Sequence, residues 1–271
     1  MYLYTVVEVY FGIMQPEIKP TLTIRGVQIF KGVIDVPAQQ RMVADLRDVI
    51  SNAPMRSPVT PNGRQMSVRM SAAGRYGWYT DRFGYRYIDR QPDNRPWPAI
   101  PDGIATLWSD LVSSEREADC CLINYYDQNA KMGLHQDKDE VDFNWPVLSI
   151  SLGDDALFRV GNVTRGGKTE SLWLNSGDVV LIGGDARLAY HGIDRIKFFS
   201  SHFLYKAFLI NLSLRVFDFF LDFPLSDAFF LAHLSNITLS TNTPNFTPLA
   251  LLLFVRFSVF LFNFSSRLSS F

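Results

Sequence analysis

Cysteine, net charge and long apolar runs are all scarce in this 271-residue chain, and each absence excludes a class of protein. The two cysteines, Cys120 and Cys121, are adjacent, so they do not form the spaced framework of a disulfide-stapled secreted domain and fit a reducing cytoplasm. The net charge of −1 gives no signal for nucleic acid from the molecule as a whole, although a local basic surface can be hidden in a neutral total. The apolar run 249–262 is interrupted by Arg256 and is shorter than the roughly 20 residues of a transmembrane helix. No membrane span is therefore predicted.

The two ends of the chain differ in composition from the middle. Residues 1–17 are an atypical extension without the basic region and cleavage site of a signal peptide. Residues 218–271 contain twelve of the 22 phenylalanines and have no sustained period of 2 or 3.6. We interpret this tail as an extension that is not part of the fold, such as a read-through product, with an interfacial anchor or a small subdomain as alternatives. The predicted domain is residues 18–217.

Hydrophobic periodicity predicts helices first and a run of short strands afterwards. One helix begins at Asp35-Val36-Pro37, and a second contains the apolar stripe Ile104, Leu107 and Trp108. Strands are predicted at residues 21–30 (with Gly26 at a turn or bulge), 65–71, 120–126, 146–152, 157–160, 171–174, 178–182 and 208–217. This order predicts an α+β fold in which the later strands form a sandwich or jelly roll.

A histidine and a carboxylate two residues apart, His135 and Asp137, lie on the same face if their segment is extended. A second histidine, His191, follows 56 residues later. Two histidines and one carboxylate make the facial triad that holds Fe(II) and leaves coordination positions open. In a jelly roll, His191 would enter from a strand that is distant in sequence and adjacent in space. A single His-x-Asp pair is weak evidence, because most such pairs are surface residues.

Residues 74–98 are rich in glycine, proline, arginine and aromatic side chains. Segments of this length without regular structure are usually functional or disordered, and the aromatic content argues against disorder. A local density of basic side chains among aromatic ones is expected at a nucleic-acid interface. The arginines that interleave with aromatic residues in this region and just before it are Arg64, Arg69, Arg75, Arg82, Arg86 and Arg90.

Five motifs in the same order resemble the AlkB family of Fe(II)- and 2-oxoglutarate-dependent DNA dealkylases. They are Leu122-Ile123-Asn124-Tyr125-Tyr126, His135-Gln136-Asp137-Lys138-Asp139-Glu140, Ser149-Ile150-Ser151-Leu152-Gly153, Gly177-Asp178-Val179-Val180 and Tyr190-His191-Gly192-Ile193. The similarity spans about residues 18–193. It implies a double-stranded β-helix (jelly roll) core, N-terminal helices and a nucleotide-recognition lid at about residues 55–98.

The resemblance also implies roles for individual residues. His135, Asp137 and His191 match the iron ligands, and Trp78 matches an aromatic residue that stacks on a flipped-out base, with the ring of His135 on the other face. Asp139 matches the acid that accepts a hydrogen bond from the exocyclic amine of that base. The residues implied at 2-oxoglutarate are Asn124, Tyr126, Asn211 and Arg215; those implied near the substrate or its phosphates are Thr60, Met66, Ser67, Tyr85, Lys131 and Arg165. Core packing is the alternative for Tyr126 and Trp78, and a solvated surface charge is the alternative for Lys131 and Arg165.

One position departs from the family pattern. The last strand of the family carries Arg-x-Asn-x-x-x-Arg, whose arginines pair with the two carboxylates of 2-oxoglutarate. Asn211 and Arg215 fit this pattern, but Leu209 stands at the first arginine. Lys206 is an odd number of residues from 209 and points the other way unless a bulge intervenes. We therefore expect either weak 2-oxoglutarate binding or a terminal region that departs from a working sequence.

The leading functional hypothesis is oxidative demethylation of N-alkylated bases, 1-methyladenine and 3-methylcytosine, with Fe(II), oxygen and 2-oxoglutarate. Formaldehyde, succinate and carbon dioxide would be the products, and alkylated single-stranded DNA the preferred partner, with RNA or duplex DNA possible. A nucleic-acid-binding module with impaired co-substrate binding, and an oxygenase acting on another substrate, are the alternatives. We expect a cytoplasmic monomer without a stable protein partner or a membrane association.

Overall fold

The computed structural model describes residues 18–112, 115–127, 129–201 and 208–216. The predictions for residues 1–17 and 218–271 and for Lys206 lie outside these residues. The chain begins with a hairpin of two strands, β1 (Leu22–Ile24) and β2 (Val27–Phe30), where a single strand was predicted. Arg25 and Gly26 form its turn with φ angles of 51° and 82°, a left-handed backbone that glycine adopts readily. The predicted interruption at Gly26 is thus the turn itself.

Two helices form where the sequence predicted them. Helix α1 (Val36–Asn52) begins at Asp35, whose side chain accepts a hydrogen bond of 2.8 Å from the backbone N–H of Ala38. Helix α2 spans Asp102–Val112. The buried stripes of both helices pack on one apolar cluster with alternate residues of the large sheet, so the helices cover its outer face. None of the helices in the described ranges has the length and apolar character needed to cross a membrane.

The remaining strands form two sheets and a separate hairpin. In chain order they are β3 (Arg69–Gly74), β4 (Gly77–Asp81), β5 (Gly84–Ile88), β6 (Cys120–Tyr126), β7 (Met132–His135), β8 (Val147–Gly153), β9 (Asp155–Val160), β10 (Glu170–Leu174), β11 (Val179–Ile182), β12 (His191–Lys197) and β13 (Leu209–Arg215). The large sheet has the order β1-β2-β11-β8-β13-β6-β3 and the small one β10-β9-β12-β7. A second apolar cluster joins residues of both sheets, which therefore face each other as in a jelly roll. The predicted fold class is confirmed.

Strand β13 lies between β6 and β8 and places alternate residues on opposite faces of the large sheet. Ile210, Leu212 and Leu214 belong to the cluster beneath the helices. Leu209 belongs to the cluster between the sheets, so the residues at 209, 211, 213 and 215 share the inner face. In the same way, Tyr126 of β6 belongs to the inner cluster, and Asn124 two residues earlier shares its face. We call this surface of β6, β8 and β13 the inner face.

The lid region contains regular structure that sequence reasoning did not predict. Strand β3 begins four residues later than the predicted strand at 65, and β4 and β5 pair as an antiparallel hairpin. We call β4 and β5 with their turn the lid hairpin. A Cβ on Gly77 would lie 2.3 Å from the Trp97 ring, so glycine is required for this close packing. Trp97 therefore holds the base of the lid hairpin.

Candidate metal centre

The three predicted metal ligands meet at one point of the small sheet. His191 of β12 lies directly across from His135 at the end of β7, and their ring centroids are 4.5 Å apart. Asp137 follows in the segment after β7, with Oδ1 at 3.6 Å from His135 Nε2 and Oδ2 at 3.5 Å from His191 Nε2. All three potential ligand atoms lie within 4.8 Å of one another. The predicted convergence of two distant segments is confirmed.

Backbone carbonyls orient both imidazole rings. His135 Nδ1 lies 3.0 Å from the oxygen of Gly133, and His191 Nδ1 lies 3.0 Å from the oxygen of Ala189. Because a carbonyl oxygen only accepts hydrogen bonds, Nδ1–H is the donor in each neutral ring and Nε2 keeps its lone pair. This is the usual arrangement around a metal-bound histidine, in which the second nitrogen is fixed by a hydrogen bond.

The charge states of the triad suit a dication. Burial, together with the nearby His191 ring, lowers the pKa of His135 to about 4, so its imidazole is neutral at pH 7. Burial alone would raise the pKa of Asp137, but the nearby Arg215 guanidinium holds it well below its usual range. The neutral His135 imidazole and the Asp137 carboxylate are thus available at neutral pH. Two histidines and one carboxylate are a donor set that fits ferrous iron.

The residues implied at 2-oxoglutarate lie together on the inner face. Asn124 is paired with Asn211 across β6 and β13, and both are buried. The Asn211 amide donates to Ser149 Oγ at 2.8 Å, and the Tyr126 hydroxyl donates to Met132 Sδ at 3.8 Å. Within the described ranges, Asn124 Oδ1 and Arg215 Nε are buried without a hydrogen-bond partner. Unpartnered buried polar atoms are rare in folded proteins, and these fit a polar ligand on the inner face.

Leu209 is fully buried and lies opposite Tyr126 at the end of the inner face away from Arg215. It packs in the cluster between the sheets, which also contains Phe158 of β9. The position where the family carries an arginine is therefore an apolar contact between the sheets. The alternation predicted for 209, 211 and 215 is present.

The lid hairpin brings two predicted substrate residues, Trp78 and Tyr85, together, and the stacking of Trp78 on a base stays a prediction. Trp78 stacks on Tyr85, with ring centroids 5.3 Å apart and an interplanar angle of 17°. Its indole N–H donates to Asp139 Oδ2 at 2.9 Å. Burial raises the pKa of Asp139, although the hydrogen bond from Trp78 opposes this shift. The contacts with Tyr85 and Asp139 thus fix Trp78 beside the segment that carries the metal ligand Asp137.

The other predicted substrate residues are spread around the lid. Ser67 and Lys131 meet: the Ser67 hydroxyl donates to the Lys131 oxygen at 3.2 Å. Thr60 closes a turn by accepting from the Arg64 N–H at 3.2 Å. Met66 packs on the cluster between the sheets, whereas Arg165 is exposed in the loop between β9 and β10. Their roles at a substrate remain predictions.

Sequence reasoning missed two residues beside the triad, Glu140 and Arg187. Glu140 is buried and accepts hydrogen bonds from Tyr87, Arg187 and Arg215. The acidic run that ends at Glu140 has the composition of a solvated loop, and Arg187 stands outside every motif. Only the burial of both side chains, which depends on distant segments, could have indicated their importance.

Comparison with known proteins decides the family. The profile of the 2OG-Fe(II) oxygenase superfamily matches residues 26–215. The chain is 46% identical over 198 residues to the alpha-ketoglutarate-dependent dioxygenase AlkB homolog of Caulobacter vibrioides, covering 73% of this chain and 90% of that protein. This chain belongs to the AlkB family of 2OG-Fe(II) oxygenases. As an AlkB family member it is an Fe(II)- and 2-oxoglutarate-dependent dioxygenase.

Two further relatives extend the comparison. The solved structure of OsALKBH1 superposes with a TM-score of 0.63 at 28% identity, covering 73% of this AlkB family chain and 99% of that one. A stretch of 101 residues is 42% identical to the DNA N(6)-methyladenine demethylase ALKBH1C of Arabidopsis thaliana, covering 36% of this chain and 22% of that protein. The first likeness agrees with the jelly roll described above.

Proposed function

We propose that this chain oxidatively demethylates N-alkylated bases of nucleic acids, as a DNA alkylation repair enzyme. The observation that carries the proposal is the bond from Trp78 on the lid hairpin to Asp139, two residues after the metal ligand Asp137. An aromatic platform for a base thereby lies next to the oxidising centre. The name of the Arabidopsis relative, a DNA demethylase, supports a nucleic-acid substrate.

His135, Asp137 and His191 would hold Fe(II), and the inner face would hold 2-oxoglutarate. Arg215 would pair with a carboxylate of the co-substrate because guanidinium binds carboxylate bidentately, while Asn124, Tyr126 and Asn211 would contact the same ligand. Fe(II), oxygen and 2-oxoglutarate together supply the oxidising chemistry that converts an N-methyl group to formaldehyde and leaves succinate and carbon dioxide. The protein orients the ligands and keeps the site dry.

Trp78 would stack on the flipped-out base, with the ring of His135 on the other face of that base and Tyr85 near the nucleotide. Asp139 would accept a hydrogen bond from the exocyclic amine of the base. Base–aromatic stacking is worth about 1–3 kcal/mol and tolerates different bases. A methylated, poorly paired base such as 1-methyladenine or 3-methylcytosine costs least to extrude, which favours single strands.

The phosphate backbone would be met by the basic side chains of the lid, with Thr60, Met66, Ser67, Lys131 and Arg165 near the nucleotide. Arg86 is the weakest candidate among the arginines, because it already makes two bonds of 2.8 Å to Asp81. We place the catalytic domain at residues 18–217 with a lid at 55–98. We place the protein in the cytoplasm as a monomer, and the free, buried Cys120 and Cys121 agree with a reducing compartment.

The proposal is tested by incubating the protein with Fe(II), 2-oxoglutarate and a single-stranded oligonucleotide that contains one 1-methyladenine. Formaldehyde and succinate should form in equal amounts, and an Asp137→Ala variant should form neither. The unmethylated oligonucleotide is the matched control. Succinate formation that is independent of the methyl group would contradict the proposal and favour a different substrate. Tight oligonucleotide binding with no product would favour a binding module, a role that the apolar Leu209 also supports.

A further inference from the structure

A buried cluster of charged groups includes the metal ligand Asp137 and the co-substrate residue Arg215, and its other members have no role in the chemistry above. It consists of two carboxylates (Asp137 and Glu140), two guanidinium groups (Arg187 and Arg215) and the phenol of Tyr87, all of which are at least 92% buried. The two positive and two negative charges balance. Buried charges persist only when they are paired and hydrogen-bonded, so each member depends on the others.

Glu140 is the centre of this cluster. Its Oε1 accepts from the Tyr87 hydroxyl at 2.6 Å and from Arg215 Nη1 at 3.1 Å, and its Oε2 accepts from Arg187 Nη2 at 3.1 Å. The three donors come from the lid hairpin, the last strand and the turn before His191. A single carboxylate therefore connects three segments that are far apart in the sequence.

Both arginines that Glu140 holds also contact the metal ligand Asp137. Arg215 Nη2 lies 2.9 Å from Asp137 Oδ1, and Arg187 Nη1 donates to the Asp137 backbone oxygen at 2.7 Å. Arg187 Nε donates in addition to the Trp145 backbone oxygen at 2.8 Å. The fork of Arg187 thus fixes the backbone of the ligand, while Arg215 fixes its carboxylate.

We propose that Glu140 is a positioning residue for the metal and its co-substrate, acting through Arg187 and Arg215. This inference rests on the proposed function, in which Asp137 binds the metal and Arg215 binds 2-oxoglutarate. Without the Glu140 charge, two guanidinium groups face one carboxylate, and Arg215 has only Asp137 as an ionic partner. Asp137 is then drawn into that pair and away from the metal.

Tyr87 extends the role of Glu140 to the lid. It lies directly across from Trp78 in the lid hairpin, and Arg215 Nη1 donates to its hydroxyl oxygen at 3.1 Å. A base held at Trp78 is therefore connected, through the paired residue Tyr87, to Arg215, the arginine that would bind the co-substrate. Loss of the phenol should leave metal binding intact and weaken the link between base binding and co-substrate turnover.

The test measures binding of Mn(II) alone to the full-length protein without oxygen, by titration calorimetry. Outer-sphere partners of metal ligands typically contribute about 10–100-fold to affinity, so Glu140→Gln should raise the dissociation constant by about that factor. Arg187→Lys keeps the charge but loses the fork, and should raise it similarly. An unchanged Mn(II) dissociation constant in both variants overturns the proposal. A change in Glu140→Gln alone would show that the Glu140 charge acts through space and not through Arg187, and this result also overturns the proposal.

Asp178→Asn is the matched control, because Asp178 is also a buried carboxylate with several donors. It accepts from the backbone N–H of Gly32 at 2.8 Å and of Asn175 at 2.6 Å, and it pairs with Lys31, all away from the metal. This variant should lower thermal stability and leave the Mn(II) constant unchanged. An equal weakening of Mn(II) binding in the control would show a general loss of structure and would overturn the assignment of Glu140.

Arg187→Lys keeps the proposal testable if Glu140→Gln does not fold, and a third variant tests the link to the lid. Tyr87→Phe keeps the ring and removes one hydroxyl, so Mn(II) binding should be unchanged while succinate formed without formaldehyde increases several-fold. Unchanged coupling in Tyr87→Phe overturns the link to the lid. The Mn(II) titration needs no nucleic acid, so it tests the role of Glu140 separately from demethylation. If the proposed function is wrong, the wild-type protein itself will not demethylate the oligonucleotide.

Discussion

Replacing Leu209 by arginine should return a missing cation to the inner face and strengthen 2-oxoglutarate binding. Leu209 is fully buried, shares its face with Asn211 and Arg215, and lies opposite Tyr126. An arginine there would approach the ligand from the end of the strand opposite to Arg215. It would give the second carboxylate of 2-oxoglutarate a guanidinium partner, so that each end of the diacid is paired.

The magnitude follows from the bonds that would form. Charge-assisted hydrogen bonds contribute about 1.5–3 kcal/mol each, so a bidentate contact gives at most about 6 kcal/mol. Desolvation and ordering of the long side chain offset about half of that, which leaves about 3 kcal/mol, or about 100-fold in the dissociation constant. In the absence of ligand, the uncompensated buried cation should destabilise the fold by about 3–5 kcal/mol.

Calorimetric titration of 2-oxoglutarate into the Mn(II)-loaded protein without oxygen measures this effect directly. Leu209→Met is the matched control, since it conserves volume without charge and should leave the constant unchanged. In thermal melting without ligand, Leu209→Arg should have a lower melting temperature than the wild type. Addition of 2-oxoglutarate should raise the melting temperature of the variant again. A Leu209→Arg protein that folds but binds 2-oxoglutarate no more tightly than Leu209→Met would refute the reasoning.

Three further predictions concern the strand pair, the pH dependence and the base platform. A Cβ on Gly192 would lie 2.5 and 2.8 Å from backbone oxygens of β7, whereas one on Gly133 meets nothing within 4 Å; Gly192→Ala should therefore abolish Mn(II) binding and Gly133→Ala should not, as measured by calorimetry. The pKa of His135 is about 4 in the folded protein and about 6.5 unfolded, so protonation favours unfolding: stability present above pH 6.5 is lost as the pH falls toward 4. The loss should be about 1–3 kcal/mol, because its side chain is 35% exposed, and denaturant titrations of His135→Asn should lack it. Trp78→Ala should raise KM for the methylated oligonucleotide by about 5–150-fold through lost stacking, while the exposed Trp173→Ala leaves KM unchanged.

Local pattern predicted much of the fold, because alternation and capping are properties of neighbouring residues. Asp35 begins a helix as predicted, and β6 has the predicted bounds. The shared face of Asn124 with Tyr126 also follows from spacing alone. Hydrophobic periodicity did not reveal β4 and β5, since a short hairpin of glycine, arginine and tyrosine carries little apolar alternation.

The site was predictable where a motif carried it and unpredictable where partners came from elsewhere. His135, Asp137 and His191 converge as expected, because the two histidines and one carboxylate of a facial triad must bind the same metal ion. The contact of Trp78 with Tyr85 was not predicted, because it depends on how the lid hairpin folds. Glu140 is buried only because Arg187 and Arg215 reach it from segments 47 and 75 residues away. Such pairings depend on the order of strands in the sheets, which periodicity does not encode.

The central place of β13 in the large sheet has a consequence for synthesis of the protein. The last described strand fills the gap between β6 and β8, and it also delivers Arg215 to Asp137. A nascent chain that has not yet released residue 215 from the ribosome therefore keeps two unpaired strand edges and an unbalanced Asp137. We expect the polypeptide to acquire its native sheet, and with it a competent iron pocket, only after nearly the whole domain has been translated.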